Sequence, residues 1–574
     1  MEMVNMIIDG GKFKVPKNFT ILEATRIAGV KVPTLCNHPE LRPEGNCRVC
    51  VVEVKGARSL VASCVYPVSE GMVVNTNSPA IREARRMVVE LLLANHPQDC
   101  LSCQRNLHCE LQTIAAEVGV RQVRFDGEKK NYPLDNSNPS LVRDQNKCIV
   151  CGRCIRACSE RQGVHVYSFA NRGFNTTVVP AFNQGLDKVS CTYCGQCASV
   201  CPTGAIVIKD DTAPVWQALA NPAKHVVVQT APAVRVALGE ALGMPPGSVV
   251  TGKMVAALKR LGFSKVFDTN FSADLTIMEE GAEFLDRLKN GGTLPMITSC
   301  SPGWVNFAEL FYPDLLDHLS TAKSPQQMFG ALVKTYYAEQ AKLDPANVIS
   351  VSIMPCTAKK AEAIRTEMCA SGYRDVDYVL TTTELAKMIQ EAGIDFHFLA
   401  EENYDDPMGI ATGAGVIFGA SGGVMEAALR TVSELITGEE LECIDFKDVR
   451  GLKGVKEATL DIGGTEVRVA VVHTLLNARK IMDKIRAGEA NYHFIEIMAC
   501  PGGCIGGGGQ PISMTNDFRQ KRIDGIYECD TKSTIRKSHL NPAIKELYTS
   551  WLGEPLGEKS HKLLHTHYHQ QYRD

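Results

Sequence analysis

The sequence predicts a multidomain chain in which small α+β units precede a larger α/β core. Its 574 residues, 45% of them hydrophobic, are enough for several separate cores. Close-spaced groups of cysteines fill the first part of the chain, as in small metal-binding units. Beyond residue 222, short apolar runs alternate with helical patterns, which is typical of buried strands covered by helices.

Composition excludes several classes of protein. The 61 basic and 64 acidic residues give a net charge of −3 without a long block of one sign, so nucleic acid is not an expected partner. No apolar run of about 18 residues occurs, and the N-terminus lacks a secretion signal, so we expect a cytoplasmic protein without membrane insertion. The 22 cysteines, mostly in ligand-like groups, indicate metal in a reducing compartment.

The first predicted domain covers residues 1–79. Apolar and polar residues alternate around Asp9-Gly10, which predicts a β-hairpin, and Thr20 with Glu23 forms a capping box before an amphipathic helix. The spacing C-x10-C-x2-C-x13-C resembles two-iron ferredoxin-like domains, with structural zinc as the alternative. The expected ligands are Cys36, Cys47, Cys50 and Cys64.

The second predicted domain covers residues 80–125. The stretch "IREARRMVVELLLANH" is a helix by its period and leads into H-x3-C-x2-C-x5-C. Three cysteines leave a four-iron cluster one ligand short, and a histidine can complete the set; the alternative is an ordinary core or surface histidine. The expected ligands are His96, Cys100, Cys103 and Cys109.

The third predicted domain, residues 138–210, contains an internal repeat. "CIVCGRCIRACS" and "CTYCGQCASVCP" each follow C-x2-C-x2-C-x3-C, the signature of two-cluster bacterial ferredoxins. In that signature the fourth cysteine of each run serves the other cluster, and zinc is the weaker alternative. The expected ligand sets are Cys148, Cys151, Cys154 with Cys201, and Cys191, Cys194, Cys197 with Cys158.

The predicted core, residues 222–515, contains four short apolar runs, "HVVVQTAP", "LPMITSC", "VISVSIMPC" and "HFIEIMAC". Three of them end directly on a cysteine. Strands of an open α/β sheet deliver their following loops to one edge, where side chains from different strands can meet. The last segment, residues 516–574, is polar with apolar anchors at Tyr548, Trp551 and Leu552, and we expect it to wrap the core.

Three stretches of the core, "TSCSPGW", "MPCTAKKAE" and "EIMACPGGCIGGGGQP", resemble the signature motifs of the iron-only (FeFe) hydrogenases. The resemblance covers nearly the whole chain. It implies a β-grasp two-iron domain, a His/Cys3 cluster domain, a two-cluster ferredoxin domain and an α/β hydrogenase catalytic domain. The implied cofactors are one 2Fe-2S cluster, three accessory 4Fe-4S clusters, and an H-cluster, in which a four-iron cluster is bridged to a two-iron unit with carbon monoxide, cyanide and an azadithiolate. The implied reaction is the reversible combination of two protons and two electrons to dihydrogen.

The resemblance also implies roles for single residues of the core. Cys356, Cys500 and Cys504 match cluster ligands, with Cys504 as the bridge to the two-iron unit, and Lys359 matches a lysine that hydrogen-bonds cyanide. The glycines after Cys504 are expected to let backbone amides approach the anionic cofactor. Further positions that match the cofactor's surroundings, with core packing as the alternative for the methionines, are Ala231, Pro232, Gln326, Met354 and Met498.

The motif "TSCSPGW" departs from the family pattern, which reads T-S-C-C-P. In that register Cys300 is the proton carrier to the cofactor and Ser301 stands at a ligand position. A serine hydroxyl ligates iron only as an alkoxide, a harder donor than thiolate, and should shift the cluster's potential. We favour Ser301 as the ligand because Pro302 and Gly303 fix the register; the alternative is ligation by Cys300.

A proton relay follows from the same resemblance. Glu280, Glu283 and Arg287 lie at i, i+3 and i+7 of one helical pattern, and Ser320 matches the remaining member. The alternative is a solvated helix face with an i,i+4 ion pair between Glu283 and Arg287.

The domain order resembles the catalytic subunit of multimeric NAD(P)-linked, electron-bifurcating hydrogenases of anaerobes. No nucleotide fingerprint occurs in the chain, so we expect a partner subunit that binds flavin and NAD(P), together with a small iron–sulfur subunit. Maturation proteins for the H-cluster are implied as well. The alternatives are a single-chain enzyme served by ferredoxin, a complex I-like electron-transfer subunit, and a low-turnover hydrogen sensor or cluster scaffold.

Two features fit none of these groups. Cys369, Cys443 and Cys529 are expected to be ordinary buried thiols. The tract "HKLLHTHYHQ" near the C-terminus contains four histidines but no cysteine or acidic partner, so we expect a solvated tail rather than a metal site. Its histidines are His561, His565, His567 and His569.

Overall fold

The computed structural model describes residues 2–441, 443–513, 515 and 517–572. These residues form two compact units. Unit 1 contains the chain up to Glu160 together with His165–Val189 and Val200–Val207, and unit 2 contains Arg161–Val164, Ser190–Ser199 and the chain from Ile208 onward. The second cysteine run of the internal repeat therefore contributes its first three cysteines to unit 2.

Unit 1 begins with a five-stranded sheet of order β2-β1-β5-β3-β4. The predicted hairpin is present: Ile8 pairs with Gly11, and Asp9 and Gly10 take positive φ angles of 47° and 84°, as a tight two-residue turn requires. The predicted capping box of Thr20 and Glu23 starts helix α1 (Ile21–Ile27), which lies against the sheet. The strands are β1 (Met3–Ile8), β2 (Gly11–Pro16), β3 (Val51–Val54), β4 (Val61–Ala62) and β5 (Met72–Asn75).

The remainder of unit 1 consists of short elements that carry the cysteine loops. The predicted helix is α2 (Pro79–Asn95), which starts at the N-cap Ser78 and ends at His96. Two small strand pairs, β6 with β9 and β7 with β8, frame the first run of the repeat. The elements are α3 (Glu110–Glu117), β6 (Leu141–Arg143), α4 (Arg153–Arg156), β7 (Ser168–Ala170), β8 (Thr177–Val179) and β9 (Ile206–Ile208); α5 (Gln196–Val200) lies within the second run.

Unit 2 is built on two four-stranded sheets, whereas the sequence led us to expect a single open sheet. The first has the order β11-β10-β13-β14 and is parallel throughout. The second has the order β12-β17-β16-β15, with an antiparallel hairpin at β15 and β16. The run "LPMITSC" forms only the two-residue strand β12, which pairs with β17 and not with β10. The three cysteine-ending strands are therefore divided between two sheets.

The strands of unit 2 are β10 (His225–Thr230), β11 (Lys265–Asp268), β12 (Met296–Ile297), β13 (Val348–Met354), β14 (Tyr378–Thr381), β15 (Val455–Ile462), β16 (Thr465–His473) and β17 (Phe494–Met498). Its helices are α6 (Thr212–Ala220), α7 (Leu238–Ala241), α8 (Thr251–Arg260), α9 (Thr269–Asn290), α10 (Pro302–Phe311), α11 (Pro325–Leu332), α12 (Ala338–Gln340), α13 (Ala358–Ala363), α14 (Thr382–Glu391), α15 (Gly413–Ile417), α16 (Gly423–Thr437), α17 (Leu475–Arg486), α18 (Phe518–Lys532), α19 (Pro542–Leu547) and α20 (Glu558–Leu564). None of the helices in the described ranges has the length and apolar character needed to cross a membrane.

Helix α9 is the central helix for function. The Asp268 side chain accepts a hydrogen bond from the Asn270 backbone at its N-terminus, and Gly291, at φ +78°, ends it in the left-handed conformation. The helix buries four carboxyl side chains, those of Asp274, Glu279, Glu280 and Glu283. Because buried carboxylates are rare unless they are paired or functional, this helix carries chemistry as well as packing.

The C-terminal segment, helices α18 to α20 and the chain that follows, packs on the α/β core as expected. Tyr548 and Leu552 are buried in a cluster with Phe271 and Met328, and Trp551 packs at its edge. The expectation of a solvated histidine tract is wrong for His565, whose side chain is buried and hydrogen-bonded. Helix α20 packs against the core and buries His565 with it. This tertiary contact could not be predicted from the polar composition of the tract.

The expectation for the ungrouped cysteines is also wrong in part. Cys369 and Cys443 are exposed, and Cys529 is half-buried. Both exposed thiols lie in polar loops outside the helices and strands, where no apolar period buries them.

Candidate active site and cluster sites

The four cysteines of the first domain come together in unit 1. The Cys50 and Cys64 sulfurs are 3.4 Å apart, and the Cys36 backbone NH donates to the Cys47 sulfur at 3.4 Å. The Cys36 thiol also interacts with the thiols of Cys47 and Cys64. Thiols forced this close are shielded from water and fit a cluster of soft metal and sulfide.

His96 ends helix α2 with its ring buried. Its Nδ1 lies 2.7 Å from the Pro97 carbonyl oxygen, and its Nε2 has no hydrogen-bond partner. Burial lowers the pKa of His96, so the ring is held neutral. A neutral imidazole oriented through one nitrogen, with the other free, is the arrangement of a metal ligand. Cys103 and Cys109 interact electrostatically, and Cys100 is exposed on the same loop.

The first run of the repeat surrounds a cavity in unit 1. Its lining includes the apolar side chains of Ile149, Tyr167 and Val178. Four cysteines line the cavity, three from the first run and the last cysteine of the second: Cys148, Cys151, Cys154 and Cys201. The crossed pairing expected from the ferredoxin signature corresponds to this grouping. The second predicted set has Cys191, Cys194 and Cys197 in unit 2 and Cys158 in unit 1, and its pairing stays a prediction.

The loops after β13 and β17 bring the core cysteines together in unit 2. The Cys500 thiol lies close to those of Cys356, Cys504 and Cys194. Burial and these neighbours raise the pKa of Cys500 well above its ordinary value, and burial raises that of Cys356 to about 11. Burial disfavours the thiolate form of these cysteines, so a bound cation would stabilise that form strongly. Iron is such a cation.

The glycine run after Cys504 lies against neighbouring protein loops, and its expected role towards the cofactor stays a prediction. A Cβ atom on Gly507 would lie 2.2 Å from the Pro355 carbonyl oxygen, and one on Gly508 would lie 2.6 Å from the Cys194 carbonyl oxygen. These glycines therefore permit close contact between protein loops. Their absence of side chains brings Cys504 near both Cys356 and the Cys194 loop.

Gly507→Ala is expected to separate the Cys504 and Cys356 loops. Because the added methyl would meet backbone, the loop must move, at a cost of about 1 to 3 kcal/mol in the free energy of unfolding. Iron content after reconstitution and thermal unfolding measure both effects. Gly127→Ala, whose Cβ meets nothing closer than 3.5 Å, is the control, and equal iron content in the two variants would contradict the explanation.

Cys300 and Ser301 face different neighbours. Cys300 lies close to Cys504, Lys359 and Glu280, and burial raises the pKa of its thiol well above the ordinary value. The Ser301 hydroxyl accepts a hydrogen bond from the Ala499 backbone NH at 3.2 Å, next to Cys500. The serine is thus on the side of the Cys500 loop, and the cysteine is on the side of the buried glutamates.

Lys359 is buried, although a lysine on a short helix such as α13 is more often an exposed charge. Its ammonium donates to the Cys300 carbonyl at 3.1 Å and to Glu362 at 2.9 Å. Glu362 also accepts from Gln326 and from Ser324, each at 3.0 Å. The remaining positions matched to the cofactor's surroundings are all buried: Ala231, Pro232, Met354 and Met498.

The predicted relay residues also come together. Glu283 accepts a hydrogen bond from Ser320 at 2.9 Å and forms an ion pair with Arg287 at 2.6 Å. Glu283 is 7% exposed, so the alternative of a solvated helix face is wrong, although the i,i+4 pair does form. The relay residues run from the partly exposed Arg287 inward to Glu280, which lies near Cys300.

Glu280 is the innermost carboxyl of this group. Neither of its oxygens has a hydrogen bond of normal length, with Ser320 and the Ser299 backbone nearby at longer range. Burial and the charge of Glu283 raise the pKa of Glu280 to about 8. A carboxyl with a pKa near neutrality can both take up and release a proton.

Sequence reasoning missed three buried residues around this site. Glu279 and His565 are hydrogen-bonded to each other beneath the relay, and Glu362 holds Lys359. An acidic residue three positions after Lys359 on one helix was a usable signal for that pair. The Glu279–His565 pair is separated by 286 residues, and no local pattern predicts it.

Within the part of the chain that the structure describes, no three His, Cys, Asp or Glu side chains form a site for a single metal ion. Ligands of a four-iron cluster each bind a different iron atom and stand farther apart. The donor sets fit iron–sulfur clusters in their chemistry, because they consist of thiols that are buried or half-buried, apart from the exposed Cys100, and one buried imidazole nitrogen without a partner.

Comparison with known families agrees with this arrangement. Residues 224–508 match the iron only hydrogenase large subunit, C-terminal domain, and residues 516–571 match the iron hydrogenase small subunit. Residues 1–79 match a 2Fe-2S iron-sulfur cluster binding domain, and residues 147–205 match a 4Fe-4S dicluster domain. Residues 85–124 match the NADH-ubiquinone oxidoreductase-G iron-sulfur binding region.

Individual relatives cover the whole chain. The NADP-reducing hydrogenase subunit HndD of Solidesulfovibrio fructosivorans is 52% identical over 100% of both chains. Iron hydrogenase 1 of Clostridium pasteurianum is 42% identical over 99% of this chain and 100% of its own. The solved structure of apo FeFe-hydrogenase HydA1 from Chlamydomonas reinhardtii matches with a TM-score of 0.58 and 46% identity, over 63% of this chain and 100% of that one.

Fold, buried thiols and matched regions together define a multidomain iron–sulfur oxidoreductase with a two-iron domain, four-iron ferredoxin-like domains and a catalytic domain. The chain belongs to the iron-only (FeFe) hydrogenase family. The resemblance inferred from the three core motifs is thereby confirmed. The alternative of a complex I-like electron-transfer subunit is wrong, because it accounts for none of residues 224–508.

Proposed function

We propose that this chain is the hydrogen-converting subunit of a multimeric, cytoplasmic, NADP-linked hydrogenase. The convergence of Cys356 from the loop after β13 with Cys500 and Cys504 from the loop after β17, and with Cys194 beside Cys500, carries the proposal. It is supported by similarity over the full length to a relative that is named as a subunit of an NADP-reducing enzyme. Electrons are exchanged with a partner subunit that binds flavin and NADP, with a small iron–sulfur subunit, or with ferredoxin.

In this proposal Cys356, Cys500, Cys504 and Ser301 would hold the four-iron part of an H-cluster, and Cys504 would also hold its two-iron part. When bound, this cofactor supplies the centre at which dihydrogen is formed or split. Lys359 is held by its ion pair with Glu362 and offers its ammonium group as a donor to the site. Gln326 also donates a hydrogen bond to Glu362. Met354, Met498, Ala231 and Pro232 wall the site and exclude water.

Protons reach the site through the chain's own side chains. Arg287 and Glu283 form the outer end, Ser320 hydrogen-bonds Glu283, and Glu280 and Cys300 form the inner end. Each member alternately accepts and releases a proton or holds a neighbour in place. Cys300 is the last proton carrier, which leaves the ligand position to Ser301.

Electrons leave through the accessory clusters. We assign one two-iron cluster to the first domain and three four-iron clusters to the His96 set and the two crossed sets of the repeat. The proximity of Cys194 to Cys500 within unit 2 supports an exit from the core through the second cysteine run.

Anaerobic infrared spectroscopy of the matured protein tests the proposal. Bands of iron-bound carbon monoxide and cyanide are expected, together with hydrogen-dependent reduction of an artificial dye. Reduction of NADP is expected only after a co-purifying flavoprotein is added. Direct NADP reduction by the isolated chain would contradict the proposed division of labour, and absence of the infrared bands would contradict the proposed cofactor.

Ser301→Cys is expected to raise the reduction potential of the four-iron cluster of the core, because an alkoxide stabilises oxidised iron more than a thiolate does. An EPR-monitored redox titration of protein produced without maturation proteins measures this. Ser299→Cys, in the same loop, should leave the potential unchanged. Loss of this cluster in Cys300→Ala would show instead that Cys300 is the ligand.

A further inference from the structure

The C-terminal segment reaches the proposed proton relay through His565. This side chain is 6% exposed, whereas His561, His567 and His569 of the same tract are exposed. Its Nε2 lies 3.0 Å from a Glu279 oxygen, and its Nδ1 lies 2.8 Å from the Thr321 hydroxyl. His565 thus connects helix α9 with the loop that contains Ser320.

Glu279 determines which ring nitrogen of His565 carries the proton. The carboxyl group is fully buried and accepts hydrogen bonds from Tyr548, Ser560 and the Leu556 backbone NH as well as from His565. Burial acts to raise the pKa of Glu279, but these donors outweigh it and leave the pKa below the ordinary value. A carboxylate only accepts, so His565 Nε2 must donate. In the neutral ring Nδ1 then accepts from Thr321.

Backbone pairing fastens the same two stretches. The Lys323 NH donates to the Leu564 carbonyl at 2.7 Å, and the Thr566 NH donates to the Thr321 carbonyl at 2.8 Å. Ala322 and His565 face each other in an antiparallel bridge. The side-chain bond from Thr321 to His565 therefore adds to a short two-stranded contact and fixes the rotation of Thr321.

The loop so fixed holds the relay carboxyl. The Thr321 backbone NH donates to both oxygens of Glu283, at 3.1 and 3.0 Å, and the Ser320 hydroxyl donates to one of them at 2.9 Å. The Ala322 NH in turn donates to the Ser320 hydroxyl at 3.2 Å. Displacement of Thr321 would therefore loosen Glu283 and change the direction of its bond with Ser320.

We propose that His565 is a positioning residue of the proton relay, which acts through Thr321 to hold Glu283 in line with Ser320. This inference rests on the proposed function of Glu283. It gives the C-terminal segment a second task beyond packing, because the Glu279 carboxylate, held by α9 and α20, orients the imidazole that orients the loop. Misplacement of a reacting group by about 1 Å can cost on the order of a hundredfold in rate.

Amide hydrogen exchange on the chain without its dinuclear unit tests the positioning directly. His565→Phe keeps a flat ring, slightly larger than imidazole, but removes both hydrogen bonds, and Thr321→Val removes one of them while leaving Glu279 fully paired. We expect both to speed exchange in the peptide that contains Thr321, by up to about tenfold. His565→Asn offers Thr321 a new partner and should restore part of the protection. His567→Phe, two residues away and exposed, is the matched control.

Turnover of the matured enzyme tests the consequence. His565→Phe and Thr321→Val should each slow hydrogen production on the order of tenfold and enlarge its solvent isotope effect, with unchanged infrared bands. The double variant should be no slower than either single one, because both act through one contact. Unchanged amide exchange, or additive losses of turnover in the double variant, would contradict the role of His565 but not the proposed relay. Full turnover in Glu283→Gln would instead remove the relay on which it rests.

Discussion

Replacement of Cys504 by alanine is expected to abolish hydrogen turnover and to remove the infrared bands of the two-iron unit. Cys504 is the proposed bridge between the two parts of the cofactor, and the neighbouring thiols of Cys300 and Cys356 have other roles in the proposal. Loss of groups that merely support metal ligands already costs about 10- to 100-fold, so loss of the bridge should leave less than about a thousandth of the parent rate.

Three measurements separate this outcome from misfolding. Thermal unfolding should be close to that of the parent, because the accessory clusters and the core remain. Their EPR signals should persist in Cys504→Ala. Cys369→Ala removes an exposed thiol and serves as the control, with full activity expected. A Cys504→Ala variant that still turns over hydrogen would contradict the assignment of the bridge.

Most of the candidate site could be predicted because its ligands lie in short sequence motifs. Cysteine spacing defines cluster ligands locally, since side chains a few residues apart on one loop must converge on one point. The crossed set of Cys148 and Cys201 was predictable from the two-cluster ferredoxin signature, and the structure brings both to one cavity. Capping boxes and the Asp9-Gly10 turn depend on neighbouring residues as well.

Features that depend on distant pairing could not be predicted. The division of the core into two sheets depends on β12 pairing with β17, and a two-residue strand has too little pattern to indicate its partner. The close contacts of the glycines after Cys504 with Pro355 and Cys194 on other loops were not predictable either. His565 looked like part of a solvated tail because its partners, Glu279 and Thr321, are far away in sequence.

The ion pairs of Glu426 and Arg430 show the same limit of sequence-based prediction for a purely structural feature. Arg430 is fully buried and forms ion pairs with Glu426 at 2.8 Å and with Asp530 of the C-terminal segment at 2.9 Å. A buried arginine is costly to leave unpaired, so this network ties the segment to helix α16. The i,i+4 pair was visible in the sequence, whereas the partner 100 residues away was not.

Replacement of Glu283 by glutamine is expected to slow hydrogen turnover on the order of a hundredfold, within the range for loss of a general acid or base. Glutamine keeps the shape, and its one amide oxygen can accept from either Ser320 or Arg287, but it cannot take up and pass on a proton. The infrared bands of the cofactor and the EPR signals of the clusters should be those of the parent. The loss then belongs to proton transfer and not to assembly.

The same substitution should change the pH dependence of turnover in a defined direction. Burial and the charge of Glu283 raise the pKa of Glu280 to about 8, and glutamine removes the second cause. The pKa of Glu280 should therefore fall, and the pH above which hydrogen production declines should fall with it. Asp286→Asn, an exposed carboxyl on the same helix, should change neither rate nor profile. An unchanged profile in Glu283→Gln would show that Glu280 does not sense Glu283, and the relay would need another inner member.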